Sequence, residues 1–299
     1  MADDQRIQTI GFVGLGNMGA PMAVRLIDAG YRVLAFDLSE SARARVVDAG
    51  GVDAPNLAAI ARSADAIILM LPDSRVVSSV LADAGLAETL AAGTIVVDMS
   101  SSEPLRTREL AAELKTREVH LIDAPVSGGV AGAIAGKLTI MIGGSDDDVE
   151  QMRPVFEKLG RLLHAGPVGS GHAVKALNNL LSATHLWVTS EAMEAGRRFG
   201  LDPEVMLAIF NLSSGRSGST ENKWPNFVIP GTYNSGFGLR LMLKDIRIAV
   251  QLAEKSGAPN ELGVGVVELW ARAATELPPT ADHTEIARWL RERPSHASG

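Results

Sequence analysis

The sequence predicts an α/β protein, in which an N-terminal doubly wound parallel sheet is followed by an all-helical C-terminal domain, the two joined by a long helix. Three observations carry this prediction. A glycine-rich turn at Gly11–Gly19 leads from an apolar run into a helical pattern. Short apolar runs then alternate with helical stretches as far as His164, which is typical of a parallel sheet. From His172 onward the pattern is helical throughout.

The glycine-rich turn has the spacing of a dinucleotide-binding site of the Rossmann type. A buried strand ends over Ile10–Val13, and a helix follows from about Asn17 to Asp28. Gly14 permits the tight turn, Gly16 lets backbone approach a pyrophosphate, and Gly19 lets the helix pack against the strand. The first N–H groups of the helix would face the bound anion. The predicted cofactor-binding residues of this turn are Gly14, Leu15, Gly16, Asn17, Met18 and Gly19.

A second apolar strand, Arg32–Phe36, ends at Asp37, 23 residues after Gly14. An acidic side chain at this place accepts hydrogen bonds from the ribose hydroxyls of the cofactor. Because the same carboxylate would repel a 2′-phosphate, the sequence predicts NAD rather than NADP. Arg43 and Arg45 follow within a few residues, and either could reach a phosphate, although an exposed helix face is the simpler interpretation.

The composition is that of an ordinary globular protein. The chain has 299 residues, 46% hydrophobic and 21% charged, which is enough for two domains with their own cores. The absence of cysteine excludes disulfides and thiol chemistry and fits a reducing compartment. A net charge of -7 argues against general affinity for nucleic acid. No signal peptide and no apolar run of roughly 18 residues is present, so we expect a cytoplasmic protein without a membrane partner.

The alternation of strands and helices continues after Asp37. We predict a helix over about Ser39–Asp48, a strand near Val52 and a helix ending near Ala61. The next apolar runs are typical of buried parallel strands, and they cover Ala64–Leu71, Thr94–Asp98 and Val119–Ala124. Leu71 and Pro72 close the first of these runs on the side where open parallel sheets bind ligands, so we count both as cofactor-binding residues.

A glycine-dense loop is predicted over Pro125–Gly136, followed by a strand over Leu138–Gly144. Exposed backbone N–H groups in such a loop can bind a carboxylate. We therefore predict that Ser127, Gly128 and Gly129 contact the substrate.

The boundary between the domains is predicted at the glycine-rich segment Gly166–Gly171, which divides the chain into a dinucleotide-binding domain (1–168) and a helical substrate and oligomerisation domain (169–299). A helix over Asp146–Lys158 and a last strand over Arg161–His164 precede it. A helix from His172 to about Phe199, roughly 42 Å long, follows it. Further helices are predicted at Pro203–Leu212, Leu241–Lys255, Glu261–Thr275 and Thr284–Arg291.

Three polar side chains lie near the start of the long helix. Lys175, Asn178 and Asn179 are spaced by three and four residues, which places them on one helical face. A lysine and two amides on a packing face are costly unless they contact something polar. Their position just after the domain boundary places them beside the expected cleft, so we predict that they contact the ligand.

The chain resembles the beta-hydroxyacid dehydrogenases, the group that contains 3-hydroxyisobutyrate dehydrogenase and tartronate semialdehyde reductase. Four motifs in register carry the resemblance: GFVGLGNMGAPMA at 11–23, DMSSSEP at 98–104, DAPVSGGVAGA at 123–133 and GSGHAVKALNN at 169–179. It implies that Lys175 is the catalytic lysine, that Asn179 holds the substrate, that Ser127, Gly128 and Gly129 bind the substrate carboxylate, and that Ser101 and Lys244 contact the cofactor.

The resemblance also implies a mechanism and an assembly. Hydride passes between the nicotinamide and a primary alcohol carbon of a short beta-hydroxy acid, while Lys175 transfers the hydroxyl proton. This requires that burial and the cofactor charge lower the pKa of Lys175 from about 10.4. The family implies a homodimer or a homotetramer.

One departure from the family pattern concerns the substrate pocket. The family commonly has a tryptophan where this chain has Gly218, and that segment helps to shape the pocket. Trp224, a few residues later, either replaces the missing ring or packs in the core.

The sequence gives less support to other functions. The six histidines are scattered, no HExxH is present, and we predict no metal site. His172 and His185 are interpreted as ordinary helix residues. The sequence contains no GxSxG motif, which argues against a serine hydrolase of the α/β type. The alternatives that remain are a tartronate semialdehyde reductase, an imine reductase, which would generally lack Lys175, and a non-catalytic dinucleotide-binding protein of the same fold.

Overall fold

The structure is a computed structural model that describes residues 7–83 and 86–293. The chain divides into two compact units, the first ending at Lys175 and the second beginning at Ala176. Within these described ranges, no helix combines the length and the apolar character needed to cross a membrane.

A single sheet organises the first unit. Its strands in the described residues are β1 (Thr9–Val13), β2 (Arg32–Phe36), β3 (Val52–Asp53), β4 (Ala66–Leu69), β5 (Ile95–Asp98), β6 (His120–Asp123), β7 (Val126–Ser127), β8 (Leu138–Gly143) and β9 (Gly160–Gly166). The first six pair parallel in the order β3-β2-β1-β4-β5-β6, which is the Rossmann order. The predicted doubly wound sheet is thus confirmed.

One edge of the sheet differs from a purely parallel arrangement. β8 runs antiparallel to both β6 and β7, and β9 pairs parallel with β8. β7 and β8 are separated by only ten residues (128–137), fewer than the dozen or more that a parallel crossover needs, which explains their antiparallel pairing.

Helices cover the sheet and build the whole of the second unit. They are α1 (Gly19–Asp28), α2 (Glu40–Asp48), α3 (Leu57–Ser63), α4 (Ser74–Ser78), α5 (Leu86–Thr89), α6 (Pro104–Lys115), α7 (Gly129–Ala135), α8 (Asp146–Leu159), α9 (Ser170–Phe199), α10 (Pro203–Asn211), α11 (Leu239–Ser256), α12 (Glu261–Glu276) and α13 (Glu285–Glu292). Two π-helical segments, Ser79–Asp83 and Ser219–Val228, were not predicted from the sequence.

The central strands β1, β4 and β5 are buried on both faces, as their apolar runs predict. In β4, Ile68 packs into the core on one face of the sheet and Ile67 into the core on the other. Phe156 of α8 contributes to the first core and Leu110 of α6 to the second. Alternate residues of each strand therefore anchor helices on opposite faces.

Tryptophans form the centre of the second unit. Trp187 of α9 packs edge-on against Trp289 of α13, with ring centroids 5.8 Å apart, and lies 6.3 Å from the ring of Trp270 in α12. Trp270 is fully buried. Aromatic pairs in this geometry contribute about 0.5–1.5 kcal/mol beyond the burial of their area. The predicted helical second half is confirmed.

The glycine-dense segment after β6 is more regular than the predicted loop. Val126–Ser127 forms the short strand β7, and Gly129–Ala135 forms the helix α7. Gly128 has φ 126° and Gly136 has φ 64°, so glycines with left-handed backbone precede and follow this helix. The prediction of an unstructured loop was wrong because alanines and tertiary packing outweigh the low helix propensity of glycine.

Candidate active site

The carboxyl ends of five parallel strands are aligned in one row. Phe36, Val13, Leu69, Asp98 and Asp123 are successive register partners across β2, β1, β4, β5 and β6. The segments that follow these residues therefore emerge at one edge of the sheet, which is where open α/β sheets bind ligands. The predicted cofactor segments after β1, β2, β4 and β5 all lie at this edge.

The turn after β1 has the shape that a bound dinucleotide requires. A Cβ at Gly14 would lie 2.3 Å from the Met70 carbonyl oxygen, and one at Gly19 would lie 1.9 Å from the Gly14 carbonyl oxygen. By contrast, a Cβ at Gly16 would meet no atom within 4 Å. No side chain caps the start of α1. The open space at Gly16 and the uncapped helix start fit a pyrophosphate.

Asp37 is tied directly to this turn. Its carboxylate accepts a hydrogen bond from the backbone N–H of Leu15 (2.7 Å) and another from Ser39 (2.8 Å). These bonds fix the carboxylate beside the turn, where a ribose would lie next to the pyrophosphate.

The two arginines after Asp37 are held by other groups. Arg43 pairs with Asp53 (2.9 Å) and donates to the Asp37 carbonyl oxygen (2.7 Å). Arg45 donates to the Leu15 carbonyl oxygen (3.2 Å). Both guanidinium groups thus stabilise the loop, which favours a structural role for them over binding of a phosphate.

The segments after β4 and β5 are joined by a hydrogen bond. The Leu71 N–H donates to the Ser100 hydroxyl (2.9 Å), and Ser100 is buried. Asp98, at the end of β5, accepts from the Ser100 N–H (2.9 Å) and from the Ser102 hydroxyl (2.7 Å). Ser101, the predicted cofactor contact, lies between these two fixed residues and is partly exposed.

A buried histidine links these strand ends to the start of α9. His172 Nε2 lies 3.1 Å from the Ser100 carbonyl oxygen, and Nδ1 lies 2.8 Å from the Thr107 hydroxyl, which itself donates to the Glu103 carbonyl oxygen. Nε2 thus faces an acceptor and Nδ1 faces a hydroxyl group that can accept or donate, so both ring nitrogens have a partner. His172 is thus not the ordinary helix residue that the sequence suggested.

Two buried carboxylates flank this imidazole. Asp98 Oδ2 lies 3.7 Å from Nε2 and Asp123 Oδ2 lies 3.8 Å from Nδ1. Asp123 also accepts hydrogen bonds from the backbone N–H groups of Gly169 (2.6 Å) and His172 (2.8 Å). Burial raises the pKa of Asp123, while His172 and the two N–H groups act against this shift. We call Asp98, Asp123 and His172 the strand-end triad.

The strand-end triad fixes the helix that carries Lys175. Lys175 lies three residues after His172, so the two side chains are neighbours on α9. Only 7% of Lys175 is exposed. Lys175 is therefore a buried residue one turn from His172, which contacts the segment after β5.

In the second unit, Asn179 is held by a buried carboxylate. Its side-chain N–H donates to Asp245 (2.6 Å), which is 2% exposed and forms an ion pair with Lys244 (2.9 Å). Asn178, in contrast, is exposed and donates weakly to Asn179 (3.3 Å). The structure joins Asn179 and Lys244 through Asp245, a residue that the sequence analysis did not select.

The predicted carboxylate-binding residues surround the start of α7. Ser127 ends β7 and is partly exposed, Gly128 precedes the helix, and Gly129 is its first residue. No side chain caps this helix, so its first N–H groups are available to an anion.

The segment that replaces the family tryptophan is open at Gly218. A Cβ there would meet no atom within 4 Å. Trp224 packs against the apolar cores of the second unit. Core packing is therefore the role of this tryptophan.

The residues missed by sequence reasoning are the aspartates and the histidine of the strand-end triad together with Asp245. A sequence signal was present, because Asp98 and Asp123 are the first residues of two of the four motifs. Among the described residues, no group of three or more His, Asp and Glu side chains is arranged to hold a metal ion.

Two family models match the chain. The NAD binding domain of 6-phosphogluconate dehydrogenase matches residues 9–176, and the NAD-binding domain of NADP-dependent 3-hydroxyisobutyrate dehydrogenase matches residues 169–290.

Characterised relatives are similar over most of their length. The NAD-dependent L-serine dehydrogenase of Pseudomonas aeruginosa is 40% identical over 272 residues, which is 88% of this chain and 91% of the relative. The 2-(hydroxymethyl)glutarate dehydrogenase of Eubacterium barkeri is 40% identical over 84% of both chains. The structure of Mycobacterium tuberculosis 3-hydroxyisobutyrate dehydrogenase with L-serine matches with a TM-score of 0.90 at 30% identity, covering 95% of this chain and 99% of that one.

These matches confirm the resemblance that the four motifs predicted. The chain belongs to the beta-hydroxyacid dehydrogenase family and is an NAD-dependent oxidoreductase that acts on the CH–OH group of a hydroxy acid.

Proposed function

We propose that Lys175 is the general acid/base of this chain and that its substrate is a carboxylic acid with a hydroxymethyl group on the α-carbon. The observation that carries the proposal is the burial of a lysine amine within one turn of His172, which is bonded to the segment after β5. Burial disfavours the charged form of an amine, and a general base must be neutral to accept a proton.

The substrate class follows from what the named relatives share. L-Serine, 3-hydroxyisobutyrate and 2-(hydroxymethyl)glutarate differ in one substituent and have the hydroxymethyl group and the neighbouring carboxylate in common. In our proposal the carboxylate binds Ser127 and the N–H groups of Gly128 and Gly129 at the uncapped start of α7. Asn178 and Asn179 bind the substrate from α9, and the bond from Asn179 to Asp245 fixes that amide.

The cofactor residues are assigned from the strand-end row and the glycine-rich turn. NAD supplies the hydride acceptor at this site. Its pyrophosphate would be held by the turn residues Gly14, Leu15, Gly16, Asn17, Met18 and Gly19. Asp37 would bind the ribose, and the segments around Leu71, Pro72 and Ser101, together with Lys244, would hold the remainder. Since Asp37 would repel a 2′-phosphate, we propose a preference for NAD over NADP.

Chemically, Lys175 accepts the hydroxyl proton as the C–H bond of the alcohol carbon breaks, and it returns a proton in the reverse direction. Three N–H or O–H donors on the carboxylate hold the α-carbon in one orientation. The product is the corresponding semialdehyde.

A substrate panel tests this proposal. The purified chain is incubated with NAD or NADP and, separately, L-serine, 3-hydroxyisobutyrate, 2-(hydroxymethyl)glutarate and D-glycerate, and NADH absorbance is followed. We expect turnover of at least one of the first three acids, faster with NAD. Turnover of D-glycerate alone would favour the tartronate semialdehyde reductase. In a separate incubation with NADH or NADPH, reduction of a cyclic imine, without turnover of any acid, would favour the imine reductase. No turnover with any compound would favour the non-catalytic alternative.

We also propose a homodimer or a homotetramer in the cytoplasm. Leu177, Leu181 and Val188 of α9 are 43%, 59% and 53% exposed, and their spacing places them along one side of the helix. Covering such a stripe with a second copy would remove apolar surface from water. Light scattering of the purified chain tests the assembly, and a monomer at micromolar concentration would contradict it.

A further inference from the structure

Lys223 is a partly buried lysine of the second unit that has no part in the proposed reaction. Lys223 lies in the π-helical segment Ser219–Val228, and its ammonium group donates to the hydroxyl of Ser182 (2.5 Å). Among the described residues this neutral hydroxyl is its hydrogen-bond partner, and no carboxylate forms an ion pair with it. An ammonium group has three donors, so two remain for another acceptor.

Asp282, whose charge acts on Lys223, already accepts several other hydrogen bonds. The Asp282 carboxylate accepts from the backbone N–H groups of Gly236 (2.9 Å), Phe237 (3.2 Å) and Thr284 (2.9 Å). It also accepts from the hydroxyl groups of Ser235 and Thr284. Asp282 therefore acts on Lys223 only through space, without a direct contact.

The neighbouring residue His283 also provides no negative charge to offset that of the ammonium group. His283 is 4% exposed, and its Nδ1 lies 3.0 Å from the Phe237 carbonyl oxygen. Burial and the charge of Lys223 lower the pKa of His283 to about 4, so the ring is neutral at physiological pH. Burial lowers the pKa of Lys223 to about 8, which shows how poorly its charge is compensated. The cation is thus placed where an anion would be stabilised.

The ammonium group is bonded to a residue that neighbours Asn179, which our proposal assigns to the substrate. Ser182, its partner, comes three residues after Asn179 on α9, so the two side chains are neighbours about 4.5 Å apart along the helix axis. Gly218, the residue just before the segment that carries Lys223, is exposed and stands where the family commonly has a tryptophan.

We infer that Lys223 binds a second carboxylate, carried by the substituent on the α-carbon, and makes the chain selective for hydroxymethyl dicarboxylates. The inference rests on the proposed function, because it assigns the far end of the same substrate. A substituent of two methylene groups and a carboxylate, as in 2-(hydroxymethyl)glutarate, has the required chemistry. A methyl substituent, as in 3-hydroxyisobutyrate, has no acceptor for a hydrogen bond from the ammonium group.

The two substrates provide the test. We compare kcat/KM for 2-(hydroxymethyl)glutarate and 3-hydroxyisobutyrate, at saturating NAD, in the wild type and in Lys223→Met. The ratio of the first value to the second should fall by about 10- to 100-fold, mainly through KM, because a charge-assisted hydrogen bond is lost. Lys223→Arg should recover most of the ratio, and Lys158→Met, on the exposed face of α8, should leave it unchanged.

The outcomes separate this inference from the proposed function. If the wild type oxidises none of the hydroxymethyl acids of the substrate panel, the proposed function is wrong, and the inference falls with it. If it oxidises L-serine or 3-hydroxyisobutyrate but not 2-(hydroxymethyl)glutarate, only the inference is wrong. If the wild type oxidises 3-hydroxyisobutyrate but Lys223→Met lowers both values equally, or changes neither, only the inference is wrong. Circular dichroism shows whether Lys223→Met is folded. If it is not, inhibition by glutarate is measured in the wild type and in Lys223→Arg instead. We expect glutarate to bind both proteins, and a lack of binding would overturn the inference.

Discussion

The glycines of the turn after β1 serve different steric purposes. Gly14 has φ 95° and lies against the Met70 carbonyl oxygen, so both its backbone conformation and its surroundings exclude a side chain. At Gly19, close packing alone excludes a side chain. Gly16 has neither constraint, and its surface faces open space. We therefore propose that a bound ligand, rather than the fold, requires glycine at this position.

This distinction gives a matched pair of variants. Gly14→Ala should lower the free energy of unfolding by about 1–3 kcal/mol, because it forces a strained backbone and a clash with Met70. Gly16→Ala should unfold like the wild type but bind NAD about 10-fold or more weakly, because the added methyl group occupies the space assigned to the pyrophosphate. Urea unfolding followed by circular dichroism and calorimetric titration with NAD measure the two effects. Wild-type NAD affinity in Gly16→Ala would contradict the assignment.

Single residues were predictable from the sequence where one local rule decides their task. The glycine spacing and the acid at the end of β2 follow such rules, and the structure places Asp37 against the Leu15 N–H. The hydrogen bonds of His172 were not predictable, because its partners Ser100 and Thr107 lie 72 and 65 residues away in sequence. A histidine on a helical pattern carries no sign of such distant partners.

Three elements meet in the strand-end triad. Asp98 ends β5, Asp123 ends β6, and His172 lies in the first turn of α9. The triad therefore joins the two strands to the helix that carries Lys175. A buried charged group that loses its counter-charge is strongly destabilising, so the contacts of these three residues should dominate the stability of this part of the first unit.

Replacing the central imidazole tests this role. His172→Leu should lower the free energy of unfolding by about 2–4 kcal/mol, since it leaves the Ser100 carbonyl oxygen and the Thr107 hydroxyl buried without their partner. The control is His120→Leu, which removes a half-exposed histidine paired with Asp148 (2.7 Å) and should cost less than about 1 kcal/mol. Urea unfolding followed by circular dichroism compares them. Equal losses in the two variants would show that the triad has no special weight.

The stability of the second unit should depend on pH through His283. Burial, then the charge of Lys223, lower its pKa from 6.5 to about 4, and Asp282 opposes the shift. Between these values the unfolded chain binds a proton that the folded chain does not, so stability falls as the pH drops from about 6.5 toward 4.

From these two pKa values, we expect the wild type to lose about 2 kcal/mol between pH 7.5 and pH 5 through this group. His283→Gln should not show this part of the loss, whereas His185→Gln should retain it. All four tryptophans lie after residue 175, so tryptophan fluorescence during urea unfolding reports on the second unit. An identical pH dependence in His283→Gln would contradict the expected titration.

Element prediction succeeded where the pattern was long and regular and failed where tertiary packing decides. The helices α10, α11 and α12 agree with their predicted spans within two residues at each end. The π-helical segment Ser219–Val228 was missed because Pro225 within it is normally a helix breaker. The antiparallel direction of β8 was missed because direction depends on the partner strand, which a strand's own residues do not encode.

The molecule assigns different tasks to its two units. In our proposal, the first unit provides the glycine-rich turn and Lys175, while the second provides Asn179, Lys244 and, in our further inference, Lys223. Differences between family members in the acid they use would then arise mainly in the second unit. The division predicted from the sequence at residue 168 remains a proposal, and compact packing separates the units at Lys175.

The central claim is that the buried amine of Lys175 transfers the proton during oxidation of the hydroxymethyl group. Its most direct test is the turnover of Lys175→Met with saturating NAD and the best hydroxymethyl acid, next to the control Lys158→Met. We expect kcat to fall by about 10²- to 10⁴-fold in Lys175→Met, with NAD affinity preserved and the control unaffected. A kcat equal to that of the wild type would contradict the claim.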